Sequence, residues 1–382
     1  MYALEIARLG MRLYSPGQRV AWCGVVAPFD LLNAMGVNSC FVEFVGAMLA
    51  STGTIGPLLD HAEQAGYATD ACGYHRAIMG AARQGMMPVP DFLVATSIPC
   101  SGGLAVIDNL TRLFARDLFV LHVPPDEAES GVRYLSGQLR ELTEFVARHT
   151  GEKPDPAKLR KAVELSNQAR ELLVDVYKLA AHVPSPAASR DLRNFGIVMA
   201  LFLGTQAAVD LAQAYRRDFA ARIADQRSGA PGEHLRLLWI QNRIQFKNPL
   251  EDMLEREYKA VIVADELNQI TWDPIDPDDP FPGMARRAIS IPLNGPIERR
   301  IEGLKKMAEA YKIDGVINPC HWGCRQGTGA RGMIGESLKN IGLPVLNLEV
   351  DCVDTRNFAE GQLKTRLDAF MEMLAGRPSP WR

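Results

Sequence analysis

The sequence predicts an α/β protein with two doubly wound parallel-sheet domains and a helical insert between them. Three observations carry this. Short apolar runs alternate with amphipathic stretches over residues 1–125. The same alternation returns over residues 228–382. Between the two, residues 126–227 show only long helical periodicity.

In the first region, RVAWCGVVA (Arg19–Ala27), SCFVEFV (Ser39–Val45), DFLVATS (Asp91–Ser97) and LFVLHV (Leu118–Val123) have the length and apolarity of buried strands. GPLLDHAEQAG, GYHRAIMGAARQG and GLAVIDNLTRLFA, which lie between them, read as helices. Strands that alternate with helices imply a parallel sheet covered on both faces, the Rossmann and flavodoxin arrangement. In the insert, SGVRYLSGQLRELTEFVARHTG and DPAKLRKAVELSNQARELLVDVYKLAAH place apolar residues at i, i+3, i+4 and i+7. VPSPAASRD interrupts them, with Ser185 as a candidate cap and Pro186 at the first position of a following helix. QRSGAPGEH (Gln226–His234) reads as a linker. Beyond it, LRLLWIQ, AVIVADEL, DGVINP and PVLNLEV read as strands. IERRIEGLKKMAEAYK, GARGMIGESLKNIG and AEGQLKTRLDAFMEMLAG read as helices, and TWDPIDPDDPFPG as an acidic, proline-rich loop.

Composition narrows the function classes. A chain of 382 residues, 47% hydrophobic and 23% charged, can bury a large core without disulfides. A net charge of −3 with no basic face argues against a nucleic-acid partner. No apolar run approaches the roughly 20 residues of a membrane span, and the first residues lack a signal-peptide pattern. A cytoplasmic protein is expected. The seven cysteines are then structural, catalytic or metal-bound thiols rather than a disulfide framework.

Asn318–Gly335, NPCHWGCRQGTGARGMIG, holds two competing signals. GTGARG fits the G-x-G-x-x-G pattern that cradles a dinucleotide pyrophosphate, and Glu349 stands where an acidic residue would hold the ribose. Against this, the preceding strand ends near Asn318, nine positions before Gly327, and one strand is too few to complete the βαβαβ unit. The plainer reading is that the glycines let a helix start close to its sheet. CHWGC, just before, suggests a metal. Cys72, Cys100 and Cys324 each lie in a glycine- or proline-flanked turn: DACGY, IPCSGG and HWGCRQG. Cys100, Cys320, Cys324 and Cys352 follow predicted strands, at the edge where open α/β sheets bind ligands. Cys23 and Cys40 read as buried small hydrophobes. Zinc prefers paired knuckles, and only Cys320 and Cys324 have that spacing. Ligands from distant loops suit an iron–sulfur cluster better, and nearby glycines would bring N–H groups to its sulfurs.

GYATDACGYHRAIMGAARQGMMPVPDFLVATSIPCSGG, YKIDGVINPCHWGCRQ and LPVLNLEVDCVDTRNFAEGQLKTRLDAFMEML together resemble the 2-hydroxyacyl-CoA dehydratase and benzoyl-CoA reductase family. The resemblance covers both α/β regions; the helical insert does not contribute to it. It implies one [4Fe–4S] cluster held by Cys72, Cys100 and Cys324, with Cys320 as a rival or fourth ligand. It implies Gly102, Gly103, Gly323 and Gly327 as backbone around the cluster. Candidate catalytic residues in the same motif are His321, Arg325 and Gln326; ordinary loop hydrogen bonding is the competing role for each. His75, Asp265, Glu266 and the acidic and basic groups of the C-terminal signature are weaker candidates, with packing, capping or ion pairing as the alternative. The implied partners are a homologous second subunit, an ATP-dependent iron–sulfur activator and an acyl-CoA thioester. The implied reaction is loss of water from a 2-hydroxyacyl-CoA: one-electron reduction of the thioester to a ketyl radical lets hydroxide leave and acidifies the β-hydrogen. Reduction of an aromatic acyl-CoA ring and a purely electron-relaying subunit are the alternatives.

Overall fold

The computed structural model describes residues 2–193 and 195–381. Among these the chain forms two four-stranded sheets in which every pairing is parallel. The first contains β1 (Val20–Cys23), β2 (Asn38–Phe41), β3 (Phe92–Thr96) and β4 (Leu118–Leu121), in the order β2-β1-β3-β4. The second contains β5 (Leu235–Trp239), β6 (Ala260–Asp265), β7 (Gly315–Asn318) and β8 (Val345–Asn347), in the order β6-β5-β7-β8. The two halves share one topology, and in each the chain switches sides after its second strand. A crevice therefore opens at the carboxyl ends of the first and third strands of each sheet. Every residue of β1, β3, β5 and β7 is buried, as strands covered on both faces require.

The expected helices flank these strands. Two of the insert helices, Glu129–Thr150 and Pro156–Ala180, match the long amphipathic segments. The second begins where Asp155 accepts the N–H groups of Ala157 and Lys158, with proline at the first helical position. A third helix spans Gln206–Ala224 and is capped by Thr205. The insert packs on the first sheet, whose core takes in Val132, Leu135, Leu139 and Leu142. The second half also reaches back to this core, through Ile275 and the helix Pro280–Ile289. Arg287 of that helix makes a bidentate ion pair with buried Asp30, 2.7 Å on each arm, and Ser166 of the insert donates to the same carboxylate at 3.1 Å. Three parts of the chain thus meet at one buried charge pair.

Three local expectations change. SCFVEFV is not one strand: β2 stops at Phe41, whose extended backbone starts a helix over Val42–Ser51. The helix puts Glu43 in its first turn. Ser185 and Pro186 do not open a helix. Ser185 Oγ bonds Ala180 O and accepts from Ala187 N–H, and Ser185 O accepts from Gly229 N–H at 2.9 Å, which seats the predicted linker against this buried turn. The end of the acidic loop, PFPG, is already helical, starting with Pro280 at its first position.

Candidate functional site

Cys72, Cys100 and Cys324 all cap helices. Cys100 follows β3 and caps Ser101–Phe114, and its Sγ accepts the Gly103 N–H at 3.3 Å. Cys324 follows β7 and caps the short turn Arg325–Thr328, and its Sγ accepts the Gly327 N–H at 3.4 Å. These two thiols occupy matching positions in the two halves, each beyond the third strand and each with a glycine three residues on. Cys72 caps the helix Gly73–Arg83 in the connection from β2 to β3. At such positions backbone N–H groups face the sulfur and favour its anionic form.

Backbone contacts draw the three loops together. Gly323 has φ +72° and lies so near Cys72 that a Cβ on it would fall 2.3 Å from Cys72 N, so only glycine suits the position. Gln326 Nε2 donates to Pro99 O at 2.6 Å and joins the Cys324 loop to the Cys100 loop. All three cysteines line a single cavity of about 1260 Å³ at the junction of the two halves. They are free thiols. Burial, and for Cys72 the nearness of Cys324, pushes their ionisation up; the N–H groups of Gly103 and Gly327 oppose this at Cys100 and Cys324. No three His, Cys, Asp or Glu side chains among the described residues gather closely enough to ligate a single ion.

The remaining predicted residues divide by position. His321 is fully buried behind Cys72. Its Nδ1 accepts the Cys352 N–H at 2.9 Å, which puts the ring proton on Nε2, 3.2 Å from Cys72 Sγ. Burial, with Arg76 nearby, lowers its pKa to about 3, so the ring is neutral and donates to the thiol. Arg325 is exposed at the cavity mouth, and Gln326 is half-buried in the wall. Gly102 lines the cavity beside Cys100, and Gly103 follows it: a Cβ on Gly102 would lie 2.8 Å from His75 Cε1, and one on Gly103 would lie 3.1 Å from Glu43 Oε1. Cys320 stands apart. Its backbone is left-handed at φ +44°, its side chain is buried, and its Sγ faces Asn347 Oδ1 at 3.4 Å. Asp265 and Glu266 are held by Arg243 and Arg300.

Two residues at the site lack a clear signal in the sequence. Glu43 lies in the cavity wall beside Cys100; its Oε2 is shut from solvent and has no hydrogen-bond partner among the described residues. Burial raises its pKa to about 7. Arg76, one turn after Cys72, is buried and bonds Glu63, Asp351, Asp354 and the Ala71 carbonyl. It ties the Cys72 helix to the C-terminal signature across the two halves. A buried ion network of this kind costs about 3–5 kcal/mol when one partner is removed. The spacing C-x-x-x-R is its one local signal.

The groups that a dinucleotide reading would use are engaged otherwise. The Gly327 N–H goes to Cys324 Sγ, and Glu349 pairs with Arg331 at 2.5 Å. The sheet order points the same way, because the GTGARG stretch follows the third strand of its sheet and not the first.

Comparison with known proteins gives a consistent kinship. The family model for 2-hydroxyglutaryl-CoA dehydratase, D-component, matches residues 24–374. The chain is 21% identical to the (R)-phenyllactyl-CoA dehydratase alpha subunit of Clostridium sporogenes, over 94% of this chain and 91% of that one. It is 25% identical to a benzoyl-CoA reductase subunit of Thauera aromatica, over 84% and 80%. It is 24% identical to the (R)-2-hydroxyglutaryl-CoA dehydratase subunit alpha of Acidaminococcus fermentans, over 76% and 62%. With a match across nearly its whole length, this chain belongs to the 2-hydroxyglutaryl-CoA dehydratase D-component family, the kinship that its cysteine motifs suggest.

Proposed function

We propose that the chain is the [4Fe–4S]-bearing subunit of a heterodimeric 2-hydroxyacyl-CoA dehydratase, with Cys72, Cys100 and Cys324 as the protein ligands. The observation that carries this is the shared cavity wall: three free thiols, each capping a helix, converge from three loops in a chain of this family. When bound, a cluster held by these three thiolates would supply a one-electron carrier and a Lewis-acidic iron.

The chain's own residues supply the rest. Gly103 and Gly327 donate N–H bonds to the sulfurs of Cys100 and Cys324, and His321 donates to that of Cys72. Such donors orient ligands and stabilise the anionic sulfur. Gln326 and Gly323 fix the loops to one another. Glu43 faces the cavity with a carboxyl that titrates near neutrality, suited to taking the β-proton of an acyl group or returning one to departing hydroxide. Elimination breaks C2–O and C3–H and yields a 2-enoyl-CoA and water. The electron that enters to open the sequence leaves at its end, so the net reaction is redox-neutral and the electron donor, an ATP-dependent activator, acts catalytically.

Reduction of an aromatic acyl-CoA ring is the second reading, supported by the 25% identity to the benzoyl-CoA reductase chain. The test is anaerobic purification with the partner subunit, followed by iron, sulfide and product analysis. About four irons and four sulfides per chain, with 2-enoyl-CoA formed from a 2-hydroxyacyl-CoA, are expected. A ring-reduced product in place of dehydration would favour the second reading. Zinc without sulfide would sink both.

His321→Leu removes the donor to Cys72 Sγ without touching the cavity. It is expected to cost roughly 10–100-fold in cluster retention or turnover, the usual effect of losing an outer-shell partner. His321→Gln should recover part of it. Iron content after gel filtration and the EPR spectrum of the reduced protein measure both.

A further inference from the structure

We propose that the acyl group taken by this cavity is apolar and carries no second carboxylate. The inference rests on the acyl-CoA reading above and deepens it. Kinship does not decide the point, because relatives are named for both phenyllactyl and 2-hydroxyglutaryl substrates. The cavity wall does.

With Glu43 as the acid–base group and Cys100 as a cluster ligand, the reacting carbons lie between the two, which flank the same glycine: a Cβ on Gly103 would sit 3.1 Å from Glu43 Oε1 and 3.6 Å from Cys100 Sγ. Val25, Phe41, Phe44, Ala47 and Ile98 line the same cavity wall, with Phe41 and Phe44 close to Glu43 along the chain. Phe41 and Phe44 stack edge to face, with ring centroids 5.8 Å apart. An acyl chain that runs from the recess meets hydrocarbon.

A second carboxylate would need a free cation, and among the described residues the wall holds no lysine and, apart from Arg325, no unpaired arginine. Arg287 gives both of its arms to Asp30 and lies over the Trp272 ring, 5.2 Å from its centroid. Against the upward push of burial, this pairing holds Asp30 ionised and leaves the guanidinium neutralised. Arg193 forks onto Glu251. Arg325 is exposed at the mouth, on the side of the cavity that adjoins a smaller hollow lined by Arg300 and Gly329. It is placed to meet the polar portion of a CoA ester rather than the end of the acyl group. A substrate carboxylate there would be desolvated and unpaired.

The experiment measures binding of unreactive thioesters to the anaerobically purified heterodimer by calorimetry. Hexanoyl-CoA, 3-phenylpropanoyl-CoA, glutaryl-CoA and free CoA are compared. An apolar thioester is expected to bind roughly a hundredfold more tightly than glutaryl-CoA, as the exclusion of an unpaired buried charge implies. Glutaryl-CoA should bind no better than free CoA. Glutaryl-CoA within threefold of hexanoyl-CoA, or tighter, would overturn the inference and leave the acyl-CoA reading standing. Failure of all four to bind would overturn that reading, and the inference with it. Phe44→Arg, checked for unchanged iron content, should bring glutaryl-CoA about tenfold closer to hexanoyl-CoA by supplying the missing cation.

Discussion

Cys72→Ala, Cys100→Ala and Cys324→Ala are each expected to strip iron and sulfide from the anaerobic protein and abolish turnover, whereas Cys320→Ala keeps both. The contrast follows from where the four thiols point. Cys72, Cys100 and Cys324 line one cavity, and two of them already accept backbone N–H bonds on its wall. Cys320 lies four residues before Cys324, yet its left-handed backbone turns the side chain toward Asn347. Loss of a ligand should exceed the roughly 10–100-fold that loss of an outer-shell donor costs. Loss of Cys320 should register only as packing, about 1–2 kcal/mol of stability. Iron and sulfide analysis of the four variants, with circular dichroism to confirm folding, separates the cases. Metal loss in Cys320→Ala with retention in Cys324→Ala would exchange their roles.

The candidate ligand cysteines are legible because their signals are local. A thiol beside glycine or proline, just past an apolar strand, marks a functional edge on topological grounds alone. Cys320 and Cys324 are not separable in this way, since the φ of Cys320 is a tertiary outcome. The strands are legible from length and apolarity, and the sheet order then follows the doubly wound pattern. Glu43 is hidden by the same rule. SCFVEFV satisfies the criteria for a buried strand, and only the early end of β2 turns its carboxylate into the cavity. His321 is visible as a candidate, but its role is written elsewhere. Its tautomer is set by the backbone of Cys352, 31 residues away, and its target is the thiol of Cys72, 249 residues away. Arg76 depends likewise on Asp351 and Asp354. Such partners have no local spacing. The helix Pro280–Ile289 is masked because prolines that read as a loop also suit a helix start, and its packing face is supplied by the other half of the molecule.

Glu43→Gln is expected to lower turnover by about 10²–10⁴-fold, the range for loss of a general acid–base group, while iron and sulfide content stays unchanged. The side chain is partly covered, 23% exposed, with His75 Nε2 3.9 Å from its Oε1 as the nearest charged-group candidate. His75 offers little compensation, because burial, with His321 nearby, lowers its pKa to about 4 and leaves it neutral. Burial, against the smaller pull of a backbone N–H, therefore raises the carboxyl from 4.5 to about 7, and near neutral pH it can both take and give a proton. Activity that depends on the ionised form should rise with pH through about 7, and the residual activity of the variant should lose that step. Stability should move the opposite way. The unfolded carboxyl ionises near 4.5 and the folded one near 7, so between these values the folded state holds the extra proton and wild-type stability falls as pH rises. The variant has no such proton. It should match the wild type below the lower value and exceed it by roughly 1–3 kcal/mol at pH 8, a figure discounted for partial exposure. Denaturant titrations at several pH values, set beside pH–rate profiles, read both effects on the same two proteins. If Glu43 were purely structural, its replacement would lower stability at every pH and leave the rate profile in place. A carboxylate kept unpaired in the cavity for chemistry should instead raise stability at high pH when it is removed, and take the rate with it.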